Sequence, residues 1–339
     1  MEFVARHGAT SRYTSEWSRW HLWDGNLWRP DEKRRVFSMA QEVCRDAARK
    51  ANTILSGKTR AQVVSLTGEH PLIATAPREW DRDPWLLGTP GGVVDLRTGE
   101  LRPGDPILMV TKSTSVAPGG DCPLWRKTLD DIFKEDREVI AFAKRHAGYL
   151  LTGSIKKEKL VFALGDGGNG KGTVFETLAY VMGEYAMSCP IETLVQTHGS
   201  QHPTEIAQFQ AKRFALASEP DEAHRWNTAR VKLLTGGDRL RARVMRGDFF
   251  DFEPTHKLVI TGNDTPRFGR IDAAISRRLE IRRGFRQAGP RAEGETQGGG
   301  GGDPIVDDRG MSGVAEGRAG SAEFDQRAYE GLPRQGRRH

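Results

Sequence analysis

The chain has 339 residues, with 51 basic against 45 acidic side chains and a formal net charge of +6, long enough for two domains that each bury a core. No apolar run approaches the roughly 18 residues of a membrane-spanning helix, and Met1-Glu2-Phe3-Val4-Ala5-Arg6-His7 lacks the apolar stretch of a signal peptide. Cys44, Cys122 and Cys189 lie far apart with no C-x-x-C pair, which argues against a disulfide framework or a zinc ribbon and fits a reducing cytoplasm, while the small basic excess is compatible with a polyanionic partner.

Trp17, Trp20, Trp23 and Trp28 bracket an Asp24-Gly25 pair. Asp-Gly between aromatic runs predicts a hairpin, because both turn positions tolerate positive φ, and the rings read as a small packed core rather than a stacking platform for bases. Pro30-Asp31-Glu32 opens a helix whose apolar positions Val36, Met39, Ala40, Val43, Ala47, Ala51 and Ile54 recur every three or four residues. Leu86 to Asp105, punctuated by glycine and proline, predicts a second hairpin turning at Thr98-Gly99. A helical region runs from Cys122-Pro123 to Leu151, with His146 on its apolar side as a core histidine. It ends at Thr152-Gly153-Ser154, and the charged connector Lys156 to Lys159 marks a domain boundary.

Beyond the connector, the apolar run Leu160 to Leu164 enters a glycine-rich turn, Gly165-Asp166-Gly167-Gly168-Asn169-Gly170-Lys171-Gly172-Thr173, followed by Phe175, Leu178, Ala179 and Met182 at helical spacing. Strand, loop and helix in that order aim backbone N–H groups and a helix N-terminus at one anion, with Lys171 reaching the outer phosphates of a nucleotide. The spacing departs from the usual phosphate loop at Gly172, where Ser or Thr would offer a hydroxyl to magnesium; the hydroxyl comes one residue later, at Thr173. His198 and His202 sit four apart, but Gly199 and Pro203 argue against the helix a shared metal would need.

A second apolar strand, Phe214 to Ala217, leads to Glu219, placed as the strand beside a phosphate loop places an acid for magnesium and the attacking water. Arg239, Arg241 and Arg243 alternate, then Arg246-Gly247 turns into the aromatic run Phe249-Phe250-Asp251-Phe252. Period two puts the three arginines on one strand face; alone this reads as a solvated face, and on a projecting hairpin it suits phosphate contacts along DNA. A third apolar strand from Lys257 ends at Asn263, suited to sensing a γ-phosphate or orienting water and, before Asp264-Thr265-Pro266, equally suited to forming a turn, and Arg277-Arg278 offers two permanent charges for a phosphoryl group in transfer.

Taken in order, the Gly-x4-Gly-Lys-Gly-Thr loop, the strand to Glu219, Lys232-x-x-Thr-Gly-Gly-Asp238, the strand to Asn263 and Arg277-Arg278 resemble the superfamily 3 helicases. Within these they are similar to the phage and plasmid primase-helicases related to the poxvirus primase-helicase, and Leu87 to Leu101 resembles the domain preceding the motor in that family. The resemblance covers Val4 to Phe285. It implies an α/β fold: residues 1–153 as a smaller α+β domain, and 154–285 as a P-loop, RecA- and AAA+-like ATPase with a parallel sheet. It implies a ring, usually a homohexamer, that hydrolyses ATP with Mg2+ between subunits, travels on single-stranded or forked DNA and works beside a primase in the cytoplasm of a bacterium carrying the mobile element.

By position, the loop Gly165 to Thr173 would hold the nucleotide through Lys171, with Glu219 serving water and metal and Thr173 or a water completing the magnesium shell. Asn263 would be the sensor, Arg277 or Arg278 the finger, and Lys232, Arg239, Arg241, Arg243 and Arg246 the DNA contacts. Since the chain starts too late for the primase-polymerase domain of longer relatives, no primer synthesis is expected. Residues 286–339 are expected to be disordered, given the composition and the five glycines from Gly298 to Gly302. Codon degeneracy also permits a frameshift there, since Asp303 to Glu316 read one nucleotide later can spell an amphipathic helix. The competing readings are a DNA- or nucleotide-binding remnant without activity and, less favoured for want of an acceptor pocket, a small-molecule kinase.

Overall fold

The computed structural model describes residues 1–51, 57–165, 167–196, 204–218, 225–243, 248–263, 267–268 and 272–283. Asp166, Glu219, Arg246, the His198 and His202 pair and the tail 286–339 lie outside the described residues.

Helix α1 (Glu2–His7) precedes a three-stranded antiparallel sheet of β1 (Ser11–Thr14), β2 (Arg19–Trp23) and β3 (Trp28–Pro30). The Asp24-Gly25 turn is as the sequence predicts: Gly25 has φ +103°, and the Asp24 carboxylate accepts from the N–H groups of Asn26 and Leu27. Trp20 and Trp28 are buried, and Trp28 meets Trp80 edge to face at 5.7 Å, so these rings are core. Helix α2 (Arg35–Ala51) begins later than its composition suggests, because Asp31 serves its first turn from outside, accepting from the N–H groups of Arg35 and Val36. Helix α3 (Gly57–Gly68) joins it, and Val36, Ala40, Val43 and Val64 share a core with Phe3, Trp20 and Ile73.

A second antiparallel sheet contains β4 (Leu86–Thr89), β5 (Gly92–Asp95) and β6 (Glu100–Arg102), with Gly99 at φ +75° in the turn anticipated at Thr98-Gly99. The long helical region divides into α4 (Pro123–Phe133) and α5 (Arg137–Leu151). Lys134 and Glu135, both at positive φ, break the rod, and Asp136 caps α5 by accepting from Glu138 and Val139.

The remaining elements are β7 (Leu160–Leu164), α6 (Lys171–Met182), β8 (Ala186–Ser188), α7 (Thr204–Ala207), β9 (Phe214–Ser218), β10 (Arg225–Trp226), α8 (Thr228–Thr235), β11 (Leu240–Arg243), β12 (Phe249–Phe252), β13 (Lys257–Gly262), β14 (Arg267–Phe268), α9 (Ala273–Arg278) and β15 (Leu279–Arg283). Five of them form a parallel sheet in the order β15-β7-β13-β9-β8. Every residue of β7 is buried, as expected of a central parallel strand covered on both faces. Alternation divides its side chains between two cores: Leu160, Phe162 and Leu164 pack with Trp226, Val231 and Ile260, while Val161 and Ala163 pack with Leu150, Phe175 and Val259. Leu87, Val94 and Leu96 belong to the second of these cores, so the sheet of β4 to β6 packs directly against the parallel sheet's own layer.

Two buried cations tie the lower edge of that sheet. Arg213, 4% exposed at the entry to β9, donates to the carbonyls of Leu86 (2.6 Å) and Leu151 (2.5 Å) and lies 4.4 Å over the Tyr185 ring. Lys257, opening β13, donates to the carbonyls of Thr152 and Thr255. No helix among the described residues is long and apolar enough to cross a membrane.

Burial pushes His21, His146 and His256 each down to about 4. Because the folded value lies below the ordinary 6.5, the unfolded chain binds more protons, so this stabilisation is complete above pH 6.5 and is lost as pH falls toward 4. Each histidine contributes up to about 1.4 kcal/mol per pH unit in that window. The urea midpoint is expected to fall between pH 7 and pH 4.5, and His256→Phe, which puts a ring beside Phe209 (4.6 Å from His256), is expected to shrink the fall.

Candidate functional site

Strand β7 ends at Leu164, and the Gly165 N–H donates to the carbonyl of Gly262, so the loop after β7 starts in register with the end of β13. Gly168 and Gly170 take φ +73° and +85°, where a side chain is strained. Gly170 has a second reason to be glycine: a Cβ there would lie 2.5 Å from the Ile132 side chain of α4. The loop therefore folds back onto α4 before α6 begins.

Lys171 is the first residue of α6 and only 7% exposed. Its ammonium donates to the carbonyl of Gly165, to Oδ1 of Asn169 at 3.0 Å and to Oδ1 of Asn263 at 3.2 Å. Residues 92 positions apart thus meet at one charge. The cation rests on its own loop, at a helix start whose N–H groups have no partner within the helix, so an incoming polyphosphate can exchange these neutral acceptors for its charged oxygens. Gly172 and Thr173 are exposed on the first turn of α6.

The strand directly beside β7 is β13, carrying Asn263, and β9 lies one strand further out. This corrects the expectation that the strand leading to Glu219 adjoins the loop strand; Ser218 ends β9, and Thr261 Oγ1 of β13 lies 3.4 Å from its hydroxyl. On the other side of β7, Arg278 is engaged within the chain, with Nη2 at 2.9 Å from Glu158, whereas Arg277 is exposed and uses its carbonyl to accept from Lys159.

Strands β11 and β12 form the anticipated arginine hairpin, pairing Arg243 with Phe249 and Arg241 with Asp251. Leu240 and Ala242 are buried, and Arg241 and Arg243 project from the other face over the half-exposed Phe249 ring at 5.1 and 5.4 Å. Arg239 precedes the strand and pairs with Glu253 at 3.4 Å. Lys232 stands apart from this face: it lies on α8 and bonds Asp272, the N-cap of α9, at 2.5 Å.

A cavity of about 760 Å³ runs between α5, α6 and the β15 edge, lined by Phe133, Val139, Phe142, Val174 and Leu178, with His146 at its side. The His146 ring stacks on Phe142, and its Nε2 has no hydrogen-bond partner among the described residues. Asn169 belongs to the loop that the sequence marks for the nucleotide, whereas Ile132 and Glu158 were missed, since nothing in the pattern near either points to the loop or to Arg278.

Residues 2–134 match the family described as D5 N terminal like, and residues 163–278 match a family of unknown function, DUF5906. A protein of Acanthamoeba polyphaga mimivirus named as a helicase, L207/L206, is 26% identical over 212 residues, 60% of this chain and 22% of that protein. One of Frog virus 3 named as a helicase, 022R, is 28% identical over 153 residues, 43% of this chain and 16% of that protein. The chain spans only 22% and 16% of the lengths of these curated relatives. In fold it is similar to the apo structure of the NrS-1 C-terminal region, with TM-score 0.50 and 14% identity, over 87% of this chain and 63% of that one. The D5-like N-terminal region and the helicase-named relatives support a primase-helicase-like protein, as the motif order implies.

Gly170→Ala is expected to destabilise the fold by about 1–3 kcal/mol through left-handed backbone strain and overpacking on Ile132. Adding Ile132→Ala relieves the second cost alone, so urea denaturation of the four-member cycle should give a favourable coupling of about 1 kcal/mol.

Proposed function

We propose that the chain is the ATP-dependent motor of a replicative primase-helicase, a P-loop ATPase of the RecA and AAA+ type that opens duplex DNA at a fork. The observation that carries this reading is the Lys171 ammonium inside the Gly165 to Lys171 loop, joined to Asn263 from the neighbouring strand. A lysine at a helix start and a polar side chain at the tip of the adjacent strand are the two groups that must both feel a terminal phosphate if its loss is to change the protein's shape.

In this reading Lys171 binds the outer phosphates of ATP and Asn263 senses the terminal one. Glu219, following β9, orients the attacking water. The cavity beside Val174 gives room for the base. Arg278 is held by Glu158, so the exposed Arg277 is the finger presented to the next subunit of a ring, taken as a homohexamer. The site's residues fit a hard divalent cation, with Glu176 exposed one turn along α6 and Thr173 beside it. Magnesium bound with the nucleotide would neutralise phosphate charge as the terminal bond breaks.

Arg241 and Arg243, stiffened by Phe249, supply the DNA-contacting face with Arg239 and Arg246. Lys232 acts indirectly, by fixing α8 to the start of α9 and hence the placement of Arg277. Residues 1–153 form the leading domain and 154–285 the motor.

ATP hydrolysis is expected to rise with single-stranded DNA and to fall about 100-fold or more in Lys171→Ala; hydrolysis that survives this change removes the loop from the mechanism. DNA binding by Arg241→Ala and by Arg243→Ala should each show a salt dependence flatter by about one unit of log-log slope. Nucleotide and DNA binding without stimulated hydrolysis would instead support a non-enzymatic remnant.

A further inference from the structure

The residue after Lys171 carries no side chain. In a loop of this spacing a hydroxyl at that place faces the metal bound with the nucleotide, and Gly172 has none. Thr173 is the nearest hydroxyl along the chain, but successive helical side chains point about 100° apart, so it leaves the helix on a different face from position 172. The residue that shares the face of position 172 is four further on. That residue is Glu176.

Its carboxylate is turned back along α6. Oε1 lies 3.4 Å and Cδ 3.8 Å from the point where a Cβ on Gly172 would stand, and among the described residues no other atom beyond its chain neighbours and the helix backbone comes within 4 Å of that point. Glu176 is exposed, and among the described residues its carboxylate makes no hydrogen bond or ion pair. A carboxylate oxygen with no hydrogen-bond partner among the described residues therefore lies in van der Waals contact with the place where the missing side chain would begin, one turn from the buried Lys171. Carboxylate oxygen is a favoured ligand of Mg2+, which takes one or two carboxylates together with substrate phosphates and keeps several waters.

We propose that Glu176 is the side-chain ligand, direct or through one water, of the divalent cation that accompanies the nucleotide at this loop, replacing the hydroxyl that Gly172 lacks. The proposal rests on the nucleotide-binding reading of the loop. It has a consequence that a purely structural glutamate would not have. A hydroxyl is neutral, whereas this carboxylate repels bare phosphate, so metal and nucleotide bind with stronger coupling. Removing Glu176 weakens the metal and at the same time relieves the repulsion of metal-free nucleotide.

The full chain and its variants would be titrated with Mn2+ in the presence of ADP, followed by electron paramagnetic resonance, and with fluorescent ADP in EDTA. Glu176→Ala is expected to weaken Mn2+ binding roughly tenfold or more while metal-free ADP binds no less tightly. Gly172→Ser added to Glu176→Ala puts a hydroxyl back and is expected to recover most of the lost Mn2+ affinity. Mn2+ affinity within about twofold of the parent in Glu176→Ala, or a loss seen in Thr173→Ala instead, would overturn the assignment. Absence of ADP binding by the unaltered chain, with or without Mn2+, would overturn the nucleotide reading itself and this proposal with it, an outcome separate from ADP binding with unmoved metal affinity.

Discussion

An ammonium enclosed by protein must be given oxygen acceptors, because leaving it unpaired costs far more than any contact its stem can make. Lys171 obtains them from the exit of β7, from Asn169 within the loop and from Asn263 at the end of β13. This one charge thereby fixes the loop's closure and the relative placement of two strand ends. The Gly165 to Gly262 backbone bond reinforces the same alignment. The positive-φ glycines and the contact of Gly170 with Ile132 are the means by which the chain turns tightly enough to bring the ammonium home.

The opposite edge of the sheet is held by the same chemistry put to a different use. Arg213 and Lys257 enter β9 and β13 at their N-terminal ends and spend their donors on carbonyls of β4 and of the end of α5. Those bonds commit the two cations to protein carbonyls, and together with the shared core of Leu87, Val94 and Leu96 they make the sheet of β4 to β6 part of the frame. Ligands of open parallel sheets lie outside the carboxyl ends of the strands. Here the carboxyl edge carries Lys171 and Asn263, while the amino edge is closed by two buried cations.

The paired arginines show how tertiary structure assigns work to residues that a sequence presents as equals. Arg277 and Arg278 are adjacent and chemically identical, yet the step of about 100° between successive helical residues sends one to solvent and the other to Glu158. The basic residues around the hairpin divide similarly. Arg241 and Arg243 share a face with Phe249, whereas Lys232 is committed to Asp272 at the start of α9. A charge in a sequence is a donor without an address, and packing supplies the address.

Local order determined a good deal of this protein. The Asp24-Gly25 and Thr98-Gly99 turns, the all-apolar strand β7, the glycine loop opening α6 and the period-two arginines of β11 were legible because each depends on the backbone preferences and alternation of neighbouring residues. The start of α2 was misplaced because Asp31 acts from outside the helix it caps, and the break at Lys134-Glu135 was hidden inside a continuous helical composition. Strand order, the meeting of Lys171 with Asn263, the Ile132 contact that forbids a side chain at Gly170 and the different surroundings of Arg277 and Arg278 were settled only in three dimensions. Each joins residues far apart in the chain, or depends on which side of a helix a neighbour lies, and neither distance nor direction across the fold leaves a periodic trace in sequence.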